Sequence, residues 1–197
     1  MKPAPGAHQS GSPAERCIAA ADGTPLRVRV VHASSPKGCV IVVHGLDDHL
    51  ERYGALARLL QESGYDVVLY DQRGHGRSGG AHCHVARFSQ YVDDLERVRD
   101  AAQPASAPHL FGHSMGAVIA LLAAMRHPER WRSVVVQGFP SLPGRNIPKP
   151  VEVLVRALRP LLSRLRASTG IDAGELSRDA AVAQAYRRDP LVKGSVT

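Results

Sequence analysis

Cysteine and long apolar runs are scarce in this chain of 197 residues. Its three cysteines, Cys17, Cys39 and Cys83, are odd in number and scattered. They read as free thiols in a reducing compartment, not as a disulfide framework or a metal site. No apolar run reaches the roughly 18 residues that a membrane span needs. The first 14 residues are rich in Pro, Gly and Ser and lack the apolar stretch of a signal peptide, so they read as a flexible tail and the protein as cytoplasmic. Acidic residues run short only toward the C-terminus. Residues 1–129 carry 13 Lys/Arg and 13 Asp/Glu, whereas residues 130–197 carry 12 and 5, so the net charge of +7 lies in the second stretch. A basic segment can meet nucleic acid, anionic lipid or an acidic substrate. No nucleic-acid motif accompanies it, so it reads as a solvated arginine-rich surface and no nucleic acid is expected as partner.

The apolar patterning predicts one α/β domain. Two alternating segments, Arg16–Ala21 and Leu26–His32, predict an antiparallel pair joined at Asp22-Gly23-Thr24-Pro25. Cys39–Val43 and Asp66–Asp71 are continuous apolar runs, the pattern of strands buried on both faces of a parallel sheet. His109–Gly112 reads as a strand leading into the next helix, and Ser133–Val136 begins another buried strand. Between them, Leu50–Ser63 (with Leu56, Leu59 and Leu60 on one face), Phe88–Ala102 and Ser114–His127 predict helices. Strands that alternate with helices imply a doubly wound, mostly parallel sheet. After Pro140 the texture changes. A proline-rich loop leads to Val151, Leu154, Leu158, Leu161 and Leu165 at helical spacing, with arginines on the other faces and a kink expected at Pro160. A last short helix is predicted over Glu175–Arg188.

The stretch that carries chemistry is His109–Ala120. Gly112-His113-Ser114-Met115-Gly116 fits G-x-S-x-G between a predicted strand and a helix of small residues. In that setting the serine sits on a strained turn with its hydroxyl exposed. The flanking glycines leave room for the turn, and the free N–H groups of the helix start face the same spot. His44-Gly45-Leu46 follows the first buried strand. If Ser114 is a nucleophile, the backbone N–H groups of Met115 and Leu46 are the pair expected to form an oxyanion hole. Gly74-His75-Gly76-Arg77-Ser78-Gly79 fits the dinucleotide-binding G-x-G-x-x-G. It does not open directly into a helix and is not the first strand-to-helix unit, so it reads as a tight loop beside the site.

Three segments together resemble one family: His44-Gly45-Leu46-Asp47-Asp48-His49, Tyr70–Ser78 and Gly112–Gly116. They are similar to the monoacylglycerol lipase and lysophospholipase branch (serine aminopeptidase S33-like) of the α/β-hydrolases. Arg178-Asp179 and Tyr186–Val192 resemble the end of that branch's cap. The resemblance implies an α/β-hydrolase core over residues 15–140 and a helical cap over 141–197. It implies Ser114 as nucleophile, Leu46 and Met115 at the oxyanion hole, and His44, Gly45, Gly112, His113 and Gly116 as supporting residues. It implies acyl esters of glycerol or related lipids as substrate, with no cofactor and no metal. Peripheral membrane contact through the cap is a further contact it allows.

One departure stands out. The family's order is Ser, then acid, then His. After Ser114 the only histidine is His127, in His127-Pro128-Glu129. Thirteen helical residues on, it lies about 20 Å from the serine. No triad acid or base is found. The resemblance implies that both come from segments beyond the cap, so an incomplete chain is expected, with Val134-Val135-Val136 on an open sheet edge suited to oligomer contacts. His44, His49, His75 and His113 are expected near the cleft in structural turn roles, and Asp71 in a structural loop. The rival reading is a non-catalytic, hydrolase-like protein that binds lipid or a partner. A third has a partner chain supplying the missing strands, acid and base.

Overall fold

The computed structural model describes residues 14–139, 167–168, 174 and 177–196. The N-terminal tail, the proline-rich loop and the helix predicted over the leucine-striped stretch 151–165 lie outside the described residues. Six strands build the main sheet: β1 (Ala14–Ala19), β2 (Pro25–Val31), β3 (Cys39–Val43), β4 (Asp66–Tyr70), β5 (His109–His113) and β6 (Ser133–Gln137). Their order is β1-β2-β4-β3-β5-β6. β1 and β2 are antiparallel, and β2 meets β4 antiparallel. β3 runs parallel to both β4 and β5, and β6 parallel to β5.

The helices are α1 (Gly54–Glu62), α2 (Ser89–Ala102), α3 (Met115–Arg126) and α4 (Ala180–Arg188). Strand side chains alternate between faces, and both faces of β3 and β4 are covered. Ile41, Val43 and Val68 pack with Leu95, Val98 and Ile119 under α2 and α3. Val40, Val42, Val67 and Leu69 pack with Leu50 and Ala57 under α1. Two-sided burial is why these strands read as unbroken apolar runs, each large side chain stabilising the fold by about 1.5–3 kcal/mol.

Three details differ from the sequence reading. Leu50–Ser63 is not one helix: a 3₁₀ turn over Leu50–Tyr53 precedes α1. The buried stripe there is Tyr53, Leu56, Ala57 and Leu60, and Leu59 faces solvent at 60% exposure because it lies at the stripe's edge. β6 is not buried. It ends the sheet, and Val135 and Val136 are 53% and 42% exposed because no further described strand or helix covers them. α4 begins at Ala180, not Glu175, where the Asp179 carboxylate accepts the Ala181 N–H at 2.9 Å.

The chain after 177 packs back on the core. Ala183, Tyr186 and Val192 form a small apolar cluster, and the Arg52 guanidinium lies 4.6 Å over the Tyr186 ring. A two-residue pair joins β7 (Ala167–Ser168) to β8 (Ser195–Val196). In the main sheet the chain reverses direction of travel at β3: β4 lies on one side and β5 on the other. The crevice at the carboxyl ends of β3 and β5 is therefore where a ligand site is expected.

Candidate active site

Ser114 sits at the carboxyl end of β5 with φ 51° and ψ −117°, a backbone conformation that costs a non-glycine residue about 1–3 kcal/mol. Its N–H donates to the Gln137 carbonyl at 2.9 Å, extending the β5–β6 ladder by one residue, and its carbonyl accepts the Ala117 N–H at 2.9 Å. The glycines on either side are required by contact. A Cβ on Gly112 would lie 2.5 Å from the Gly116 carbonyl oxygen, and one on Gly116 would lie 2.1 Å from that of Val43. These two positions let α3 turn back tightly over β5 and against the end of β3. Small residues continue the contact, with Ala117, Ala120 and Ala123 fully buried.

The loop after β3 lies on the serine. A Cβ on Gly45 would stand 3.4 Å from the Ser114 Cβ and 3.2 Å from His113 Nδ1. His44 holds this loop in place: Gln72 N–H donates to its Nε2 at 3.0 Å, and its Nδ1–H donates to the Gly45 carbonyl at 2.8 Å. The Gln72 side-chain amide donates to the His44 carbonyl at 2.6 Å. Burial pushes the His44 pKa down and keeps the ring neutral. Asp71 ties a second loop to the first. Its carboxylate accepts Leu50 N–H and Arg77 N–H, each at 2.8 Å. A Cβ on Gly76 would fall 2.3 Å from that carboxylate, which explains a glycine there. The G-x-G-x-x-G stretch is thus a tight loop wrapped around Asp71. It closes with Gly74 N–H on Gly79 O at 2.7 Å, and α2 starts only at Ser89.

The histidines are engaged elsewhere. His49 Nε2–H donates to Asp189 Oδ2 at 2.8 Å. Burial opposes ionisation of Asp189, but the Leu191 N–H and His49 outweigh it and hold the carboxyl below its usual range. His75 donates from Nδ1 to the Arg73 carbonyl at 2.8 Å. His113 Nδ1–H donates to the Tyr53 hydroxyl at 3.0 Å, which itself donates to Asp48 at 2.9 Å. His127 ends α3 beside Glu96 and Glu129. No histidine among the described residues forms a hydrogen bond with Ser114. His44, His49 and His75 are all nine-tenths or more buried, in the turns expected for them.

Residues 34–197 match the family described as serine aminopeptidase, S33. The chain belongs to the serine aminopeptidase S33 family. It is 33% identical over 162 residues to a monoacylglycerol lipase of Mycolicibacterium smegmatis, covering 81% of this chain and 58% of that protein. It is 32% identical over 161 residues to the human monoglyceride lipase, covering 80% and 53%. The chain thus spans a little over half the length of these curated relatives. Among solved structures, a Paleococcus ferrophilus monoacylglycerol lipase superposes with TM-score 0.76 at 28% identity, over 87% of this chain and 65% of that one. A soluble variant of the Saccharomyces cerevisiae monoglyceride lipase superposes with the same score at 21% identity, over 98% and 68%. The fold is that of the α/β-hydrolases.

Several members of this S33 site left no mark in the sequence. The Gln72 clamp on His44, the Tyr53–His113–Asp48 chain and the His49–Asp189 pair join residues far apart in the chain. Only the fold brings them together. A cavity of about 350 Å³ lies among Val30, Cys39, Asp66 and Ser106, at the opposite ends of β3 and β4 from Ser114. It takes no part in the site.

Proposed function

We propose that this S33 chain carries the nucleophile and the oxyanion hole of a carboxylic ester hydrolase acting on glycerolipid esters, such as monoacylglycerol or lysophospholipid. The observation that carries this reading is Ser114 held at φ 51° on the turn between β5 and α3. Ser114 Oγ attacks the ester carbonyl, giving an acyl-serine that water then hydrolyses. Met115 is the first residue of α3, so its N–H has no acceptor four residues back. Gly45 packs against the serine, and Leu46 follows it. The N–H groups of Met115 and Leu46 then receive the negative charge on the carbonyl oxygen. No metal or cofactor enters this scheme.

The reaction also needs a general base. Among the described residues no histidine hydrogen-bonds to Ser114, and without a base the hydroxyl is a weak nucleophile. An oxyanion hole and binding alone leave an enhancement of about 10³–10⁴ over water. That observation favours a second reading, in which the chain binds acyl lipid without turning it over. The substrate class follows the printed names of the relatives. The cap over 141–197, its contact with a membrane surface, association through the β6 edge and a cytoplasmic location belong to the same proposal. Among the described residues no helix is long and apolar enough to cross a membrane.

Hydrolysis of a short-chain monoacylglycerol by the purified protein, beside Ser114→Ala, tests the proposal. Turnover lost in the variant supports a Ser114 ester hydrolase. Equal background rates refute catalysis by this chain and leave the binding reading.

A further inference from the structure

Among the described residues, one group of metal-ligating side chains converges: Asp47, His82 and Cys83, with one ligand atom of each within 4.8 Å of the others. His82 Nε2 lies 3.1 Å from Asp47 Oδ1 and 3.4 Å from Cys83 Sγ, and Sγ lies 4.0 Å from that oxygen. Zinc bonds of about 2.0–2.1 Å to N and O and about 2.3 Å to S, at tetrahedral angles, put N and O about 3.3 Å apart and S about 3.5 Å from either. The three separations depart from those edges by about 0.5 Å at most.

Three further observations single out this group. His75 Nε2 lies 3.4 Å from Cys83 Sγ, and His75 Nδ1–H donates to the Arg73 carbonyl. His75 is thus an outer hydrogen-bond partner of the thiol, held in place by the Arg73 carbonyl. The group is sequestered: the side chains of Asp47 and His82 are 0% and 10% exposed, and Cys83 is buried. It is also built on unusual backbone. Four non-glycine residues among those described have positive φ: Ser114 at the elbow, Gln103 ending α2, and Asp47 and Cys83. Such conformations persist where the surroundings impose them, and they gather at functional sites.

We propose that Asp47 Oδ1, His82 Nε2 and Cys83 Sγ bind one divalent ion of the zinc class. One thiolate, one imidazole and one carboxylate suit zinc over magnesium or calcium, which take oxygen ligands. Such a centre has three protein ligands and a fourth position for water. It pins the loop after β3 to the loop after β4, one residue from Leu46. It also fixes the chain after α4, because Asp47 accepts the Lys193 and Gly194 N–H groups at 3.1 and 2.6 Å. In the metal-free chain burial, then the Asp47 carboxylate, push the Cys83 thiol up to about 12. The ion takes the place of the thiol proton, which leaves to solvent.

The test is a cobalt titration of the untagged, chelator-treated 197-residue protein. One equivalent is expected to bind, with near-ultraviolet thiolate-to-cobalt absorption and the visible bands of a tetrahedral site, both abolished by zinc. Cys83→Ser is expected to lose the thiolate absorption with an unchanged circular dichroism spectrum. Cys17→Ser, at an exposed position on β1, is expected to keep it. If Cys83→Ser does not fold, His82→Gln replaces it and is expected to weaken binding at least about tenfold. Absence of saturable binding at one equivalent overturns the proposal. So does thiolate absorption that survives in folded Cys83→Ser, or wild-type affinity in His82→Gln.

Discussion

Gly116→Ala tests how tightly the elbow is built. A Cβ at position 116 would lie 2.1 Å from the Val43 carbonyl oxygen and 2.4 Å from that of His44, whereas ordinary contact begins near 3.4 Å. The two elements must separate by about 1 Å, a shift that overpacked cores meet at a cost of about 1–3 kcal/mol. Both obstacles are backbone. Val43 is locked in the ladder with β5, and the His44 carbonyl is held by Gln72. No flexible side chain can give way, so the cost falls at about 3 kcal/mol. Alanine's better helix propensity returns about 1 kcal/mol. The net expectation is a loss of about 2 kcal/mol, which lowers the urea midpoint by about 1 M at a slope of about 2 kcal/mol/M. Gly54→Ala is the control. Its added Cβ meets nothing within 4 Å, its φ is −58°, and it is expected to stabilise by up to about 1 kcal/mol. A Gly116→Ala midpoint within about 0.25 M of wild type, about 0.5 kcal/mol at that slope, refutes the close-packing account of the elbow.

Ser114→Gly removes the hydroxyl and relieves the φ of 51°. It is expected to abolish ester turnover while raising stability by about 1 kcal/mol, and a loss of stability in urea would contradict the strain. Asp71→Ala leaves the Leu50 and Arg77 N–H groups without their acceptor. It is expected to cost about 3 kcal/mol, and a change under about 1 kcal/mol in urea denaturation would show that the two loops do not depend on this carboxylate. His44 is buried neutral, with its pKa pushed down by burial. As pH falls below about 6.5 the unfolded chain binds the proton first, so its stability contribution is present above that pH and lost below it, by up to about 1.4 kcal/mol per pH unit. Melting temperature measured from pH 7 to 5 should fall less steeply in folded His44→Gln, and an identical slope would remove His44 as the cause.

Much of the architecture was legible because sheet and helix each impose a period. Cys39–Val43 and Asp66–Tyr70 read as parallel strands because both their faces are buried. β6 has the same inner-strand composition, yet it stands at the end of the described sheet, the open edge expected for Val134–Val136. Composition reports what a strand can bury, not whether a neighbour is there to cover it. Leu59 misled, since spacing marks a stripe's direction but not its width.

The elbow was readable because its constraints are local. Gly112, Ser114 and Gly116 must be near one another in the chain to make a tight turn, and Gly45 packs where the strand before it ends. Partners across the fold were not readable. His49 meets Asp189 across 140 residues, and Asp47 meets Gly194 across 147. Scattered spacing argued against a metal at Cys83, yet the loops after β3 and β4 put Asp47 and His82 beside it. Sequence alone therefore determined the strand and helix periods, the nucleophile turn and the shortage of histidine after Ser114. The tertiary structure alone decided which buried polar groups meet. Backbone geometry is set over a few residues, whereas a buried charge or imidazole takes whatever partner the folded chain brings within about 3 Å.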